Sequence, residues 1–154
     1  MYRKQVGTVQ RLIFEILYMR NIDRLLIELK ALNLPVEDYL VISSGPLAIH
    51  NIRECNDLDI IISDALFGYL SKKYSVEIGE HVSKILIGDI EFMHRNIKQD
   101  DEYDFDRQRA KAEIIDGFPF QDLESCLYFK ERGEREKDKR DVEFIKEYLN
   151  NKDQ

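Results

Sequence analysis

The run Asp57-Leu58-Asp59-Ile60-Ile61-Ile62 constrains this chain more than any other, because few backbone arrangements tolerate two charges set among apolar residues. On a strand successive side chains point to opposite faces, so Asp57 and Asp59 share one face, about 6–7 Å apart, and Leu58 and Ile60 take the other. Two like charges beside three isoleucines weaken a strand unless a cation meets them. Carboxylates so placed suit Mg²⁺, or Mn²⁺ in its place, which shares its coordination with phosphate oxygens. The plainer reading, in which Asp57 ends a turn and Asp59 is an exposed strand residue, leaves the charges uncompensated. Asp57 follows Gly45 by twelve residues, and Gly45 belongs to the small-residue stretch Ser43-Ser44-Gly45-Pro46-Leu47-Ala48.

The chain has 154 residues, 44% of them hydrophobic, which is enough for one core and too little for two ordinary domains. A net charge of −7 argues against broad binding of nucleic acid, whose affinity comes from Lys and Arg neutralising phosphates, so only a local basic groove stays open. Cys55 and Cys126 are far apart and no CxxC pair occurs. Neither a disulfide framework nor a zinc site is expected, and a reducing, cytoplasmic setting fits. The start Met1-Tyr2-Arg3-Lys4-Gln5 leads into a stretch broken by Arg and Glu, so neither a signal peptide nor a membrane span is expected.

Between about Val9 and Leu32, Leu12, Ile16, Met19, Leu25, Leu26 and Leu29 recur at helical spacing, with a break expected at Asn21-Ile22-Asp23. That apolar stripe needs a sheet or a partner to cover it. After the stop at Asn33-Leu34-Pro35, Tyr39-Leu40-Val41-Ile42 reads as a buried strand and Gly45-Pro46 opens a helix. Asp57–Ile62 is the next strand, and Ser63 caps a helix to about Lys72-Lys73. Residues 75–77, 82–87 and 88–93 read as extended, with Asp89 and Glu91 on one face; 100–106 is an acidic loop, and the chain is helical again from Gln121 to about Leu149.

This order makes a phosphate site physically reasonable. Small residues leaving a strand let backbone N–H groups approach an anion, and a helix beginning there points its positive end at it. Asp57 and Asp59 would hold metal over the phosphates, with a third carboxylate, Glu91 before Asp89, completing a two-metal arrangement. Glu91 is preferred because it lies deeper in its strand, between Ile90 and Phe92.

The pattern hydrophobic, small, Ser-Gly, a gap of about a dozen, then Asp-hydrophobic-Asp resembles the signature of the DNA polymerase β-like nucleotidyltransferase superfamily. Ser44-Gly45-Pro46-Leu47-Ala48 through Ile52-Arg53 with Asp57-Leu58-Asp59 is similar to a group of small bacterial nucleotidyltransferase-like proteins carrying GSGPLA, GIR and DIDL. Ile115–Phe120, Asp122-Leu123-Glu124 and Lys130–Asp141 are similar to that group's closing segment. The resemblance covers about residues 38–149 and implies an α/β nucleotidyltransferase fold, a small mixed sheet flanked by helices; the chain reads as one domain over 1–154, with an N-terminal helical segment over 1–34 and C-terminal helices over 121–150. It implies Asp57, Asp59 and Glu91 as metal ligands and catalytic residues, and Ser44 as the phosphate-contacting small residue with Gly45 beside it. Where that group has a glycine before the serine, this chain has Ser43, whose Cβ obstructs a close approach to a triphosphate.

Arg53, just before the acidic strand, is placed to grip phosphate bidentately, or else is a surface arginine beside Glu54. In a helix from Asp122, Leu123, Cys126, Leu127 and Lys130 share a face, so Lys130 either meets a nucleotide phosphate or a buried acid, or snorkels to water. Asp138 is expected to favour a helix start or to pair with Lys130. The tract 130–141 reads mostly as a solvated face, and His50, His81 and His94 as surface or turn residues. Ser43 and Ser44 lack a His-Asp relay.

The expected activity is metal-dependent transfer of a nucleoside monophosphate from a nucleoside triphosphate such as ATP to an unidentified acceptor hydroxyl. The alternatives are a noncatalytic nucleotide-binding or antitoxin-like protein-interaction module of the same fold, and a metal-dependent phosphohydrolase in which water replaces the acceptor. A protein partner or a second copy of the chain stays open.

Overall fold

A computed structural model describes residues 2–153, of which 2–6, 15 and 16 are considered for their backbone alone. The chain runs α1 (Tyr2–Leu17), α2 (Asn21–Ala31), β1 (Tyr39–Ile42), α3 (Ser44–Ile49), β2 (Leu58–Ile62), α4 (Asp64–Lys73), β3 (Glu77–Ile78), β4 (Val82–Ile87), β5 (Ile90–Arg95), α5 (Phe105–Ala110), β6 (Glu113–Ile115), β7 (Phe118–Phe120), α6 (Leu123–Glu131) and α7 (Glu136–Lys152). The strands form one mixed seven-stranded sheet in the order β3-β4-β5-β2-β1-β7-β6. β2 runs parallel to β5 and β1 to β7; the other neighbours are antiparallel. This is an α/β fold with a larger sheet than expected.

Alternation along β2 divides the molecule. Leu58, Ile60 and Ile62 are buried with Tyr39, Val41, Ile85, Ile90, Phe92 and Phe120, and this face packs on Ile22, Leu25, Leu26 and Leu29 of α2 and Leu66 and Leu70 of α4. Asp59 and Ile61 point to the opposite face and are half-buried. Antiparallel pairing sets Ile42 opposite Asp59 and Leu40 opposite Ile61, so those two residues of β1 share the second face.

Helix α3 lies between two cores. Ala48 and Ile49 face the main one, whereas Leu47 joins Leu123, Cys126 and Ile145 in a smaller cluster under α6 and α7. Gly45 permits this placement, because a Cβ there would collide with the Val41 Cγ1 methyl of β1. Its absent side chain is therefore accounted for by helix-on-strand packing.

Several expected boundaries move. The break between the first two helices falls at residues 18–20, and Asn21-Ile22-Asp23 opens α2, where Arg20 holds Asp23 with Nε at 2.9 Å. The side chain of Ile16, part of the expected stripe, lies outside the described residues. Asp57 sits in a bend one residue before β2. Gly88 and Asp89 form the β4–β5 turn, Gly88 at φ +59. The acidic loop gives way at Asp104, whose side chain accepts from Arg107 N, to α5. The helical span from Gln121 is two helices, broken over 132–135. Ser63 caps α4 as expected, its side chain accepting from Leu66 N. Among the described residues no helix is long and apolar enough to cross a membrane.

Candidate functional site

Asp59 of β2 and Glu91 of β5 are register partners on parallel neighbouring strands, so both side chains leave the same face of the sheet. Their carboxyls are within hydrogen-bonding reach of one another. Glu91 also takes an ion pair from Lys84 of β4, with Nζ at 3.2 Å. Asp57 is exposed and near enough for its charge to act on Asp59. Burial pushes the Asp59 carboxyl above its ordinary value; the charges of Asp57 and Glu91 push the same way, and Lys137 opposes them. Among the described residues no group of three His, Cys, Asp or Glu side chains stands as a ready metal cage.

Beside the acids, on the same face, lies a cavity of about 560 Å³. Its floor is Ile42, Ile61 and Met93, and its far wall includes Phe129, Lys130 and Arg135. Ile42 is the cross-strand partner of Asp59, while Ile61 and Met93 lie two residues on from Asp59 and Glu91. The cavity's apolar floor and the acid pair thus take neighbouring positions of the same strands, although Asp57, Asp59 and Glu91 do not themselves line the cavity.

Ser43 opens onto the cavity at the end of β1 with φ 62 and ψ −115, a conformation natural to glycine and strained for a residue with a Cβ. The obstruction expected from this serine therefore has a backbone counterpart. Ser44, 3% exposed, is the first residue of α3.

The basic residues are engaged differently from the expectation. Arg53 spends its fork on Asp141 of α7, Nε donating to Oδ1 at 2.6 Å and Nη2 to Oδ2 at 2.8 Å. Lys130 donates to the same carboxylate at 2.8 Å. Asp138 is held by both arms of Arg135, each at 3.0 Å, instead of by Lys130. Burial raises the Asp141 carboxyl, but the hydrogen bonds from Arg53 and Lys130 outweigh it and leave the group below its ordinary value. Lys130 is 7% exposed and meets a buried acid, the outcome in which it does not snorkel. Asp138 and Asp141 are buried as well, so the mixed-charge tract is not simply a solvated face.

Asp141 and Arg135 carry no spacing signal of their own, since their roles arise only when α7 folds back on α6. His50 and His94 are likewise more enclosed than surface residues. His50 faces Glu113 at 3.1 Å, and His94 faces Asp64 at 2.7 Å while stacked on Phe67.

No family model, no curated protein and no solved structure matches this chain. The geometry therefore carries the functional argument by itself.

A carboxyl raised above its unfolded value ionises at a cost in the folded chain. That cost grows as pH rises from the ordinary carboxylate range through the raised value, and is complete above it. Asp59→Asn removes it. In chelator at neutral pH the variant should be as stable as the parent or more so, by up to about 1 kcal/mol after screening at a half-buried site, and melt correspondingly higher, with the gain vanishing in acid. Marked destabilisation in the same melts would make Asp59 a structural aspartate.

Proposed function

We propose that this chain is a metal-dependent nucleotidyltransferase with a DNA polymerase β-like nucleotidyltransferase fold. The observation that carries the reading is the pairing of Asp59 with Glu91 on parallel strands, two residues before Ile61 and Met93, which line a cavity that Lys130 and Arg135 also line. A raised acid beside a second carboxyl on the neighbouring strand, with a third acid nearby, is a donor set that a hard divalent cation would relieve. Asp57, Asp59 and Glu91 would hold Mg²⁺ or Mn²⁺, which when bound neutralises phosphate charge and favours ionisation of the acceptor hydroxyl.

The chain's own groups divide the remaining work. Ile42, Ile61 and Met93 exclude water beneath the ligand. Arg135, whose side chain is 70% exposed while it holds Asp138, lines the cavity and is near enough for the Asp59 charge to act on it. The acceptor hydroxyl would give its proton to the Glu91 carboxylate as its oxygen attacks the α-phosphorus, the bond to the bridging oxygen breaks, and pyrophosphate leaves.

A noncatalytic module of the same fold is the second reading. It is favoured by one specific observation: Arg53 and Lys130 are already committed to Asp141.

Calorimetry with nonhydrolysable forms of the four nucleoside triphosphates, with and without Mg²⁺, tests the proposal, alongside pyrophosphate release from the natural triphosphates over a panel of hydroxyl acceptors. Binding that requires Mg²⁺ is expected. Failure of every triphosphate to bind would remove the nucleotide from both readings.

A further inference from the structure

Among the described residues, helix α1 presents an exposed apolar stripe. Val9, Leu12, Ile13, Phe14 and Leu17 are each more than half exposed, and Phe14 pairs its ring at 4.5 Å with that of Tyr18, just past the helix end. Soluble monomers rarely expose a contiguous apolar patch of this kind over several turns. Spacing of three and four residues is what a helix uses to bury one side against another helix.

Charge narrows the choice of occupant. Residues 1–18 carry Arg3, Lys4 and Arg11 against Glu15 alone, so this basic segment belongs to a chain whose remainder is more acidic than the whole-chain −7. An anionic membrane or nucleic acid would attract the helix and repel everything behind it. A second copy of the chain offers an acidic surface together with an equal apolar stripe.

The stripe is also self-complementary. Val9 and Leu17 are equidistant from Ile13, so two helices crossing antiparallel at Ile13 set Val9 of each against Leu17 of the other, as an isologous two-fold contact requires. A parallel crossing would set Arg3 and Lys4 against their own copies.

We propose that α1 is a homodimerisation element, pairing antiparallel with α1 of a second copy about Ile13. Sixteen residues give a contact about 24 Å long, so the helix alone can supply the seam.

Sedimentation and light scattering of the full chain at tens of micromolar should report twice the 18.3 kDa chain mass. Leu12→Glu and Ile13→Glu should each return it to one chain mass with unchanged circular dichroism of the body, because both residues are exposed. Ile13→Cys should form an intermolecular disulfide under mild oxidation, whereas Arg3→Cys should form far less, and the native Cys55 and Cys126 are buried and stay out of the reaction. A monomeric parent chain overturns the proposal, as does a dimer that survives both glutamate variants. Cross-linking that favours Arg3→Cys overturns the antiparallel pairing.

Discussion

Replacing Asp141 by alanine should cost the protein about 3–5 kcal/mol, the penalty for removing the anion of a buried charge cluster while leaving its cations in place. Arg53 and Lys130 both donate to this carboxylate, and Lys130 is 7% exposed, so neither finds a ready substitute in water. Lys130→Met should cost less, because Arg53 continues to hold Asp141 with both arms. Urea titrations of the three proteins give the comparison. A loss under about 1 kcal/mol for Asp141→Ala would mean that water or another acid compensates the pair. The pH dependence has a definite sign. Asp141 sits below its ordinary value, so its contribution is present above the unfolded carboxylate range and disappears as pH falls through the lowered value; the gap between parent and Asp141→Ala should close in acid.

Asp57→Asn should abolish transfer while leaving the fold alone. Asp57 is exposed and lies just outside β2, so its charge is not needed for packing, whereas an enzyme of the proposed kind loses about 4 kcal/mol of transition-state stabilisation, roughly a thousandfold, with a metal ligand. Pyrophosphate release by parent and variant at saturating nucleotide reads this directly, and a melt confirms the fold. Equal turnover in the two proteins would remove Asp57 from the ligand set. Under the noncatalytic reading there is no turnover to lose, and only the Mg²⁺ dependence of nucleotide affinity should change.

The elements readable from sequence are those written in local periodicity. β1 and α4 stand where the apolar run and the Ser63 cap place them, and the common face of Asp59 and Glu91 follows from period two once their strands are neighbours. Lys130 was legible as the end of a buried stripe. Its partner was not, because Asp141 lies eleven residues on in another helix, and Arg53 reaches it across 88 residues. No local pattern encodes a pairing made only when α6 and α7 fold together. The hairpin β6–β7 escaped notice although Asp116-Gly117 is a strong turn signal, since its strands are three residues long and Pro119 interrupts one of them. Helix α5 was hidden in an acidic run whose charge suggests solvent, while Asp104 within that run supplies the cap.

The position of Asp141 in the chain sets an order of events during synthesis. All seven strands precede it in sequence, so a nascent chain can complete its sheet and its main core while Arg53 and Lys130 are still without their common anion. Only when α7 arrives is the wall that carries Lys130 fixed in place. The sheet and the cavity wall can therefore mature separately, the sheet closing before the wall that carries Lys130 is held in place.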